Sequence, residues 1–403
     1  MVSIAFHNNF RHTARTLLTL AVIAFSVVGL ILTGGFVEDV FIQLREATIH
    51  SQLGHLQVYR SGYTDRGRRD PYQYMIDESG KIHDKIITHP HVSDVLLRVK
   101  FSGLANNGRA DLSIIGEGIQ PDKEARLGTV INITGGRQLE VTDTYGILVG
   151  QGVARALQIQ PGDYLTLLVS TTDGALNSLE FEVIGIFRTF ARDYDNRAVR
   201  ITLKAAQELV DTSAIHSVVV SLDDTQLTDS VAEYLDRAVL SSEFEIKTWY
   251  ELADFYTKAV DLYRRQFAVL QFIILLMVLL SVVNSVNMAV YERVGEFGTM
   301  MALGNRRAEI TGLVIKENIL LGLIGSGAGV IFGVVLAWAI SGIGIEMPPP
   351  PNSDMGYTAH IRIVPRMVIM AFGVGVLATF LASLYPAYRV ARIPVAEALR
   401  NNV

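Results

Sequence analysis

Four long apolar segments, one ahead of a polar block and three behind it, constrain this chain more than any other feature. They cover residues 16–36, 267–288, 310–345 and 367–385. A helix needs about 20 apolar residues to cross the hydrocarbon core of a bilayer. The pattern therefore predicts an α-helical membrane domain with four transmembrane helices. A large water-facing domain, residues 37–266, is predicted between the first and the second.

Composition excludes several functional classes. The formal net charge of −5 gives no support for nucleic-acid binding. The absence of cysteine excludes disulfides, thiolate metal sites and cysteine nucleophiles. The first apolar segment is longer than the usual signal-peptide core of about 7–15 residues, and no A-x-A-like cleavage site follows it. We interpret that segment as an uncleaved anchor.

Arginines in the short loops predict the orientation, because Lys and Arg favour the cytoplasmic side of a membrane. They precede the first span, separate the second from the third and follow the fourth: Arg11, Arg15, Arg293, Arg306, Arg307, Arg389, Arg392 and Arg400. The remaining short loop holds only Arg362 and Arg366. We therefore predict both termini inside the cell. The predicted cytoplasmic parts are residues 1–15, 289–309 and 386–403, and the predicted outer parts are residues 37–266 and 346–366.

Residues 37–266 alternate between strand and helix periods, which predicts a mixed α/β domain. Asn106-Asn107-Gly108 lies between two alternating runs and predicts a hairpin, because Asn-Gly readily adopts positive φ. Pro161-Gly162-Asp163 predicts a turn within a strand, helix and strand over residues 147–169. Further strands are predicted at 179–187, 199–203 and 217–222, and helices at 205–210 and 228–240. These signals do not determine the strand order.

The first two spans are expected to continue outward as helices. Residues 37–49 and 253–271 contain neither Gly nor Pro, and the first of these stretches has apolar residues at helical spacing. Two interpretations stay open. The extensions are either stiff levers that move the outer domain or short stalks that anchor it.

No catalytic motif accompanies these elements. The patterns GxSxG, HExxH and GxxxxGK[ST] do not occur in the sequence. His83, His89 and His91 lie close together in sequence, and we interpret them as solvated loop histidines rather than as a metal site. We therefore predict a chain that is not an enzyme and has no catalytic residue, metal site or cofactor of its own.

Small residues mark close helix packing in the last two spans. Gly325, Gly329 and Gly333 recur every four residues in the third span, and Gly375 lies in the fourth. Such faces let helix backbones approach closely within a membrane. We predict that these glycines pack the third span tightly against the fourth. Glu317, near the start of the third span, is predicted to pair with a nearby arginine rather than to contact a partner protein, because a lone charge in a membrane is costly.

The loop between the second and third spans carries the most informative motif. Residues 291–310 read YERVGEFGTMMALGNRRAEI and form a short amphipathic segment that ends in a Gly304-Asn305 break. The segment resembles the coupling region of MacB/FtsX-type ABC transporter permeases, which reads E-[KR]-x-x-E-[IF]-G followed by R-A-L-G. Residues 384–400, LYPAYRVARIPVAEALR, resemble the C-terminal signature of the same family. Met301 departs from the pattern, since the family often has Arg there.

Within this family the chain looks most similar to the lipoprotein-releasing, LolC/LolE-like permeases. Residues 146–169 and 181–189 resemble their strand–helix–strand segment and the strand that follows it. One subunit type of that system carries a hook that receives a periplasmic carrier. The turn at residues 170–178 is short and lacks proline, which leaves direct docking of such a carrier in doubt.

The resemblance implies an inner-membrane permease with a MacB-like periplasmic core domain, acting as a dimer with itself or with a paralogue. A separate ABC ATPase would bind ATP and Mg²⁺ and would push the coupling segment, and the helices would pass the motion to the periplasmic domain. By this resemblance the residues that contact the ATPase are Glu292, Arg293, Glu296, Met301, Leu303 and Gly304. Leu270, Ile274 and Val278 would line a substrate cavity.

The implied function is mechanotransmission that extracts or releases lipoproteins, or other lipidated or amphipathic cargo, from the outer leaflet of the inner membrane. Two alternatives stay open. One is MacB-like efflux of periplasmic small molecules or peptides. The other is FtsX-like signalling to a periplasmic hydrolase, with nothing transported.

Overall fold

The computed structural model describes residues 13–67, 70–77, 79–127, 131–239, 243–349, 356–390 and 392–394. The chain divides into two compact units. The helical unit comprises the chain up to Ile42, Val260–Glu346 and the chain from Thr358 onward. The α/β unit comprises Gln43–Ala259 and Met347–Tyr357.

The helices and strands alternate along most of the chain. The α-helices are, in order, α1 Thr13–Thr48, α2 Tyr63–Arg66, α3 Ser79–Ile87, α4 Pro121–Leu127, α5 Gln151–Leu157, α6 Arg192–Asp195, α7 Leu203–Val210, α8 Thr228–Tyr234, α9 Trp249–Leu252, α10 Asp254–Glu292, α11 Val294–Ala302, α12 Arg307–Ile343 and α13 Pro365–Val390. Short 3₁₀ helices lie at Pro71–Tyr74 and Thr225–Leu227, and π-helical turns lie at Ile49–Leu53 and Leu235–Val239. The strands are β1 Leu56–Arg60, β2 Val92–Asn106, β3 Asp111–Ile119, β4 Asn132–Gly136, β5 Gly146–Gly150, β6 Tyr164–Ser170, β7 Leu176–Arg188, β8 Ala198–Thr202, β9 Ser217–Leu222, β10 Phe244–Thr248, β11 Ile345–Met347 and β12 Tyr357–Ala359.

Four of these helices, α1, α10, α12 and α13, are long and apolar enough to cross a membrane. Their apolar parts coincide with the four segments that the sequence predicts. The helical extensions are also confirmed, because α1 runs without interruption to Thr48 and α10 begins at Asp254. A π-helical turn, Ile49–Leu53, follows α1 directly and ends at Gly54 with a φ of 65°.

The α/β unit is built on one sheet whose order is β10-β1-β9-β2-β3-β8-β5-β7-β4, with β6 pairing to β2 and β7. Most neighbours are antiparallel, while β3–β8 and β5–β7 are parallel. The predicted hairpin is confirmed as β2–β3, with Asn106 opposite Asp111 and Gly108 at a φ of 83°. The predicted strand, helix and strand are present as β5, α5 and β6. The strands β1, β4 and β10 are not among those predicted from the sequence.

The core of the α/β unit lies between this sheet and the helices packed on it. The strand β9 is buried over its whole length, which agrees with its run of valines. The chain enters this unit at the end of α1 and leaves it at the start of α10. Residues from these two places form a smaller apolar cluster, in which Ile49 packs with Trp249 and Ala253. The π-helical turn after α1 and the residues just before α10 are therefore packed together inside this unit.

In the helical unit the glycine face of α12 lies against α1. A Cβ atom on Gly325 would meet Ile23, and one on Gly333 would meet Ile31, each at 3.0 Å. A Cβ on Gly329 would lie 2.8 Å from the backbone oxygen of Ala24. The prediction that this glycine face packs against the fourth span is therefore wrong, because the face packs against α1. The physical reason is that small residues mark a close approach without identifying the helix that approaches.

The fourth span also packs closely, through different positions. Gly375 of α13 faces Ser326 of α12 and Val27 of α1, and Gly322 of α12 faces Thr379 of α13. Ala371, Ala378 and Ala382 of α13 are buried as well. The helix α12 is therefore in contact with both α1 and α13 through faces of small residues.

Candidate functional site

The short helix α11 lies between α10 and α12 and has one buried and one exposed side. Arg293, with φ −104° and ψ 10°, interrupts the helical path between α10 and α11. The buried side consists of Val294, Gly295, Phe297 and Gly298. Glu292 and Glu296 are exposed, and Leu303 is 82% exposed. Residues 291–305, hereafter the coupling segment, therefore have an exposed acidic and apolar surface.

Arg293 fastens the coupling segment to α12. Its Nη1 donates to Glu317 Oε2 at 2.6 Å and its Nη2 to Glu317 Oε1 at 3.3 Å. Its Nε donates to Glu296 at 3.1 Å, and its guanidinium carbon lies 5.0 Å from the centre of the Phe297 ring. Glu317 is only 4% exposed, so this bidentate pair is poorly screened by water. The ion pair predicted for Glu317 is confirmed, and its partner is Arg293.

The coupling segment ends in a tight turn that requires glycine. Gly304 has a φ of 103°, a conformation that other residues rarely adopt. Its N–H donates to Met301 O, and the N–H of Asn305 donates to Met300 O, each at 3.1 Å. These bonds satisfy the last carbonyls of α11. The turn leaves the Leu303 side chain projecting at the end of the helix.

The other residues assigned by resemblance lie in varied surroundings. Met301 is partly buried and packs against the core of the helical unit, which accounts for an apolar residue at this position. On α10, Leu270 is 48% exposed, Ile274 is partly buried and Val278 is only 4% exposed. The three residues therefore do not share one open face of this chain. Their role in a substrate cavity stays a prediction.

A second ion pair, which the sequence analysis missed, lies in the helical unit. Asp39 on α1 is 1% exposed and accepts from Arg362 Nε at 2.7 Å. It also accepts from the backbone N–H of His360 at 2.9 Å, and the N–H of Arg362 donates to Gly35 O at 3.2 Å. Asp39 therefore ties the segment before α13 to α1. No sequence signal joins these residues, which are 323 positions apart.

The α/β unit contains a buried charged cluster that the sequence analysis also missed. It consists of Arg98, Glu117, Glu124, Tyr194 and Arg200, hereafter the arginine clamp, each at most 8% exposed. Arg98 donates from Nε and Nη2 to the two carboxylate oxygens of Glu124, at 2.6 and 2.9 Å. Tyr194 donates to Glu117 at 2.8 Å, and Arg200 lies 3.4 Å from the same carboxylate. Burial alone would raise the pKa of Glu117, but the two guanidinium groups hold it below its ordinary value.

The arginine clamp holds the end of the helix that begins with α1. Arg98 Nη1 donates to the carbonyl oxygen of Gln52, and Arg200 Nη2 donates to that of Ser51 at 3.2 Å. Both carbonyls belong to the π-helical turn Ile49–Leu53. The last carbonyls of a helix lack partners within the helix, and positive charge stabilises that end. The clamp therefore fixes the end of this turn to strands β2 and β8.

Of the three histidines interpreted as loop residues, His83 lies instead on the helix α3, while His89 and His91 follow that helix. His83 lies 3.0 Å from Asp84, and the rings of His89 and His91 are 5.8 Å apart. Within the part of the chain that the structure describes, no group of three or more His, Cys, Asp or Glu residues is placed to hold a metal ion.

Comparison with known families gives two matches. The MacB-like periplasmic core domain matches residues 16–238, more than half of the chain, and the FtsX-like permease C-terminal domain matches residues 268–395. The second match includes the coupling segment. It also includes part of the C-terminal signature, of which residues 391 and 395–400 lie outside the described residues.

Individual relatives agree with these matches. The lipoprotein-releasing system transmembrane protein LolC of Neisseria meningitidis is 23% identical over 96% of this chain and 94% of its own length. The macrolide export ATP-binding/permease protein MacB of Nitrobacter winogradskyi is 28% identical over 56% of this chain and 34% of its own length. The solved periplasmic region of MacB from Actinobacillus actinomycetemcomitans is 15% identical over 52% of this chain and 94% of that structure. The TM-score of this comparison is 0.37.

Proposed function

Because this chain belongs to the MacB/FtsX type of ABC transporter permeases, we propose that it extracts lipidated or amphipathic cargo from the outer leaflet of the inner membrane. It would do so as the membrane subunit of an ATP-driven complex. Lipoproteins are the cargo we favour. The similarity to a lipoprotein-releasing permease extends over nearly the whole length of both chains, while that to MacB covers 34% of the MacB chain.

The observation that carries the proposal is the coupling segment with its ion pair to α12. An exposed surface that contains Glu292, Glu296 and Leu303 offers a contact for a separate ATPase subunit, which would bind ATP and Mg²⁺. Arg293 holds that surface to Glu317 within hydrogen-bond distance and so resists its movement relative to α12. The push would therefore reach α12, and through its glycine face it would reach α1.

The second part of the mechanism concerns the α/β unit. In the proposed orientation both termini and the coupling segment are cytoplasmic, and the α/β unit is periplasmic. The arginine clamp grips the π-helical turn that continues α1, so a displacement of that helix would act on β2 and β8 directly. A second permease, either a copy or a paralogue, would complete the cargo site. A periplasmic carrier would then receive the cargo.

The cargo is tested by purifying the complex with its ATPase and identifying bound molecules by mass spectrometry. A triacylated lipoprotein supports the proposal. An adaptor and an outer-membrane duct would indicate efflux, and a cell-wall hydrolase would indicate signalling. Either of these last two results would overturn the lipoprotein assignment but would leave the coupling mechanism in place.

Coupling is tested by the double substitution Glu292→Ala and Glu296→Ala. We expect ATP hydrolysis to continue while cargo release falls about tenfold or more, because the two charges that face the ATPase are lost. Glu180→Ala, an exposed carboxylate on β7, is the matched control and should release cargo normally. Normal release by the double variant would contradict the role of this surface.

A further inference from the structure

The α/β unit contains a cavity of about 450 Å³ that the transport proposal does not use. Four aromatic rings line it, those of Tyr63, Tyr72, Phe101 and Tyr194, and Lys100 and Glu117 add two charges. Its volume falls in the range of about 300–1,000 Å³ that is usual for small-molecule sites. Cavities with aromatic walls and a few converging polar groups are the usual form of such sites.

The aromatic wall is held in place by its own contacts. Tyr63 stacks on Tyr59, with ring centres 4.7 Å apart and an interplanar angle of 9°. The hydroxyl of Tyr72 donates to Ser170 O at 2.8 Å. Both rings also contact the buried His216 ring, at 6.3 and 5.8 Å. The walls are therefore shaped before any ligand arrives, which lowers the entropy cost of binding.

The two charges that line the cavity are not equivalent. Glu117 accepts from the Tyr194 hydroxyl and lies 3.4 Å from Arg200, so its charge is already balanced. Lys100 Nζ donates to the Tyr59 hydroxyl at 3.3 Å and lies 5.5 Å from the centre of that ring. Within the described residues Lys100 has no carboxylate within ion-pair distance. The cavity therefore presents a net positive charge beside apolar rings.

His216 adds a neutral hydrogen-bond donor behind this wall. Its Nδ1 accepts from the backbone N–H of Lys100 at 3.1 Å, while its Nε2 is buried without a hydrogen-bond partner among the described residues. Burial, together with the charge of Lys100, lowers the pKa of His216 to about 3. The ring therefore stays neutral at physiological pH, and Lys100 remains the cation that faces the cavity.

We propose that this cavity binds a small amphipathic carboxylate. Its apolar body lies among Tyr63, Tyr72 and Phe101, and its carboxylate pairs with Lys100 Nζ. The site is independent of the transport proposal, since it needs neither the ATPase nor the cargo. It is connected to the arginine clamp nonetheless, because Gln52, Glu117 and Tyr194 line the same cavity. A bound ligand would therefore contact both the clamp and the π-helical turn that it holds.

The test uses the full-length protein in lipid nanodiscs and the photoreactive probe 4-benzoylbenzoate. Light attaches the probe to nearby side chains, and peptide mass spectrometry locates it. We expect saturable labelling of peptides that contain Tyr63, Tyr72 or Phe101. Competition by octanoate or by 3-phenylpropionate then distinguishes an acyl body from an aromatic one.

The role of Lys100 is tested with three variants. Lys100→Met keeps the stem but removes the charge and should raise the half-saturating probe concentration about tenfold. Lys100→Arg, which keeps the charge, and Lys204→Met, which removes an exposed lysine on α7, should bind as the unaltered protein does.

A neutral analogue keeps the proposal testable if Lys100→Met fails to fold. With the unaltered protein, 4-methylbenzophenone should label the same peptides at least about tenfold more weakly than 4-benzoylbenzoate does. Equal labelling by the two probes would overturn the proposal, as would labelling confined to the membrane helices. Unchanged saturation in a folded Lys100→Met variant would overturn it as well.

Discussion

Replacement of Glu317 by Ala should leave the Arg293 guanidinium without its main partner at a site where that side chain is 15% exposed. Breaking a buried ion pair by removing one partner costs about 3–5 kcal/mol, because an uncompensated charge remains. Arg293 keeps Glu296 and some access to water, so we expect a loss of about 2–3 kcal/mol for Glu317→Ala. Arg293→Met should cost more, about 3–5 kcal/mol, because it removes the guanidinium that binds the 5%-exposed carboxylate of Glu317.

The double variant separates the pair from the packing around it. Arg293→Met combined with Glu317→Met replaces both charges with apolar groups of similar length, which is often close to neutral. The losses measured separately for Arg293→Met and Glu317→Met should together exceed the loss in the double variant by at least about 2 kcal/mol, which is the coupling expected of residues in contact. Glu317→Gln, which keeps one acceptor oxygen, should lie between the unaltered protein and Glu317→Ala.

Stability of the helical unit is measured by unfolding in mixed micelles with a rising fraction of SDS. The chain has two tryptophans, and only Trp338 lies in the helical unit, on α12. Its fluorescence in a Trp249→Phe background therefore reports on this unit. Additive losses, with an interaction energy below about 0.5 kcal/mol, would refute the claim that the ion pair fastens the coupling segment to α12.

Three further predictions follow from the packing, from a buried histidine and from the arginine clamp. Gly329→Ala should destabilise the helical unit by about 1–3 kcal/mol, because its Cβ would lie 2.8 Å from the α1 backbone. Gly327→Ala, which meets nothing within 4 Å, should be neutral or stabilising by up to about 1 kcal/mol in the same SDS titration. Burial lowers the pKa of His55 to about 4 in the folded protein, whereas it is about 6.5 in the unfolded chain. The unfolded chain therefore takes up the proton first, so the folded protein is fully stable above about pH 6.5 and loses stability as the pH falls toward about 4. Thermal unfolding of the α/β unit should show a loss of about 2 kcal/mol at pH 5, and His55→Asn should remove that part of the pH dependence. Arg98→Met should cost about 3–5 kcal/mol in the same unfolding assay, and adding Glu124→Met should recover most of it.

The sequence predicts well those features that depend on local pattern. The four apolar helices, their outward extensions and the β2–β3 hairpin each follow from hydropathy, period or turn residues within one short stretch. The strand order does not, because β1 pairs with β9 and β10 from the far end of the α/β unit. Such long-range pairings leave no mark on the local sequence.

Charged residues show the same limit more sharply. Arg98 and Arg200 lie in strands, where a charged side chain is ordinarily read as facing water. Their burial becomes intelligible only once Glu124, Glu117 and two backbone carbonyls converge on them. Glu317 was predictable because it stands near the start of an apolar span, where an unpaired charge is costly.

Cross-linking from the tip of the coupling segment tests the central claim most directly. The chain has no cysteine, so Leu303→Cys introduces a single thiol at a residue that is 82% exposed, and it can carry a benzophenone maleimide. We expect a cross-link to a subunit whose tryptic peptides contain a GxxxxGK[ST] loop, with a yield that changes when ATP is added. Ile343→Cys, 88% exposed at the opposite end of α12, should give no such product. A cross-link of equal yield from both positions, or none to a nucleotide-binding chain, would contradict the account.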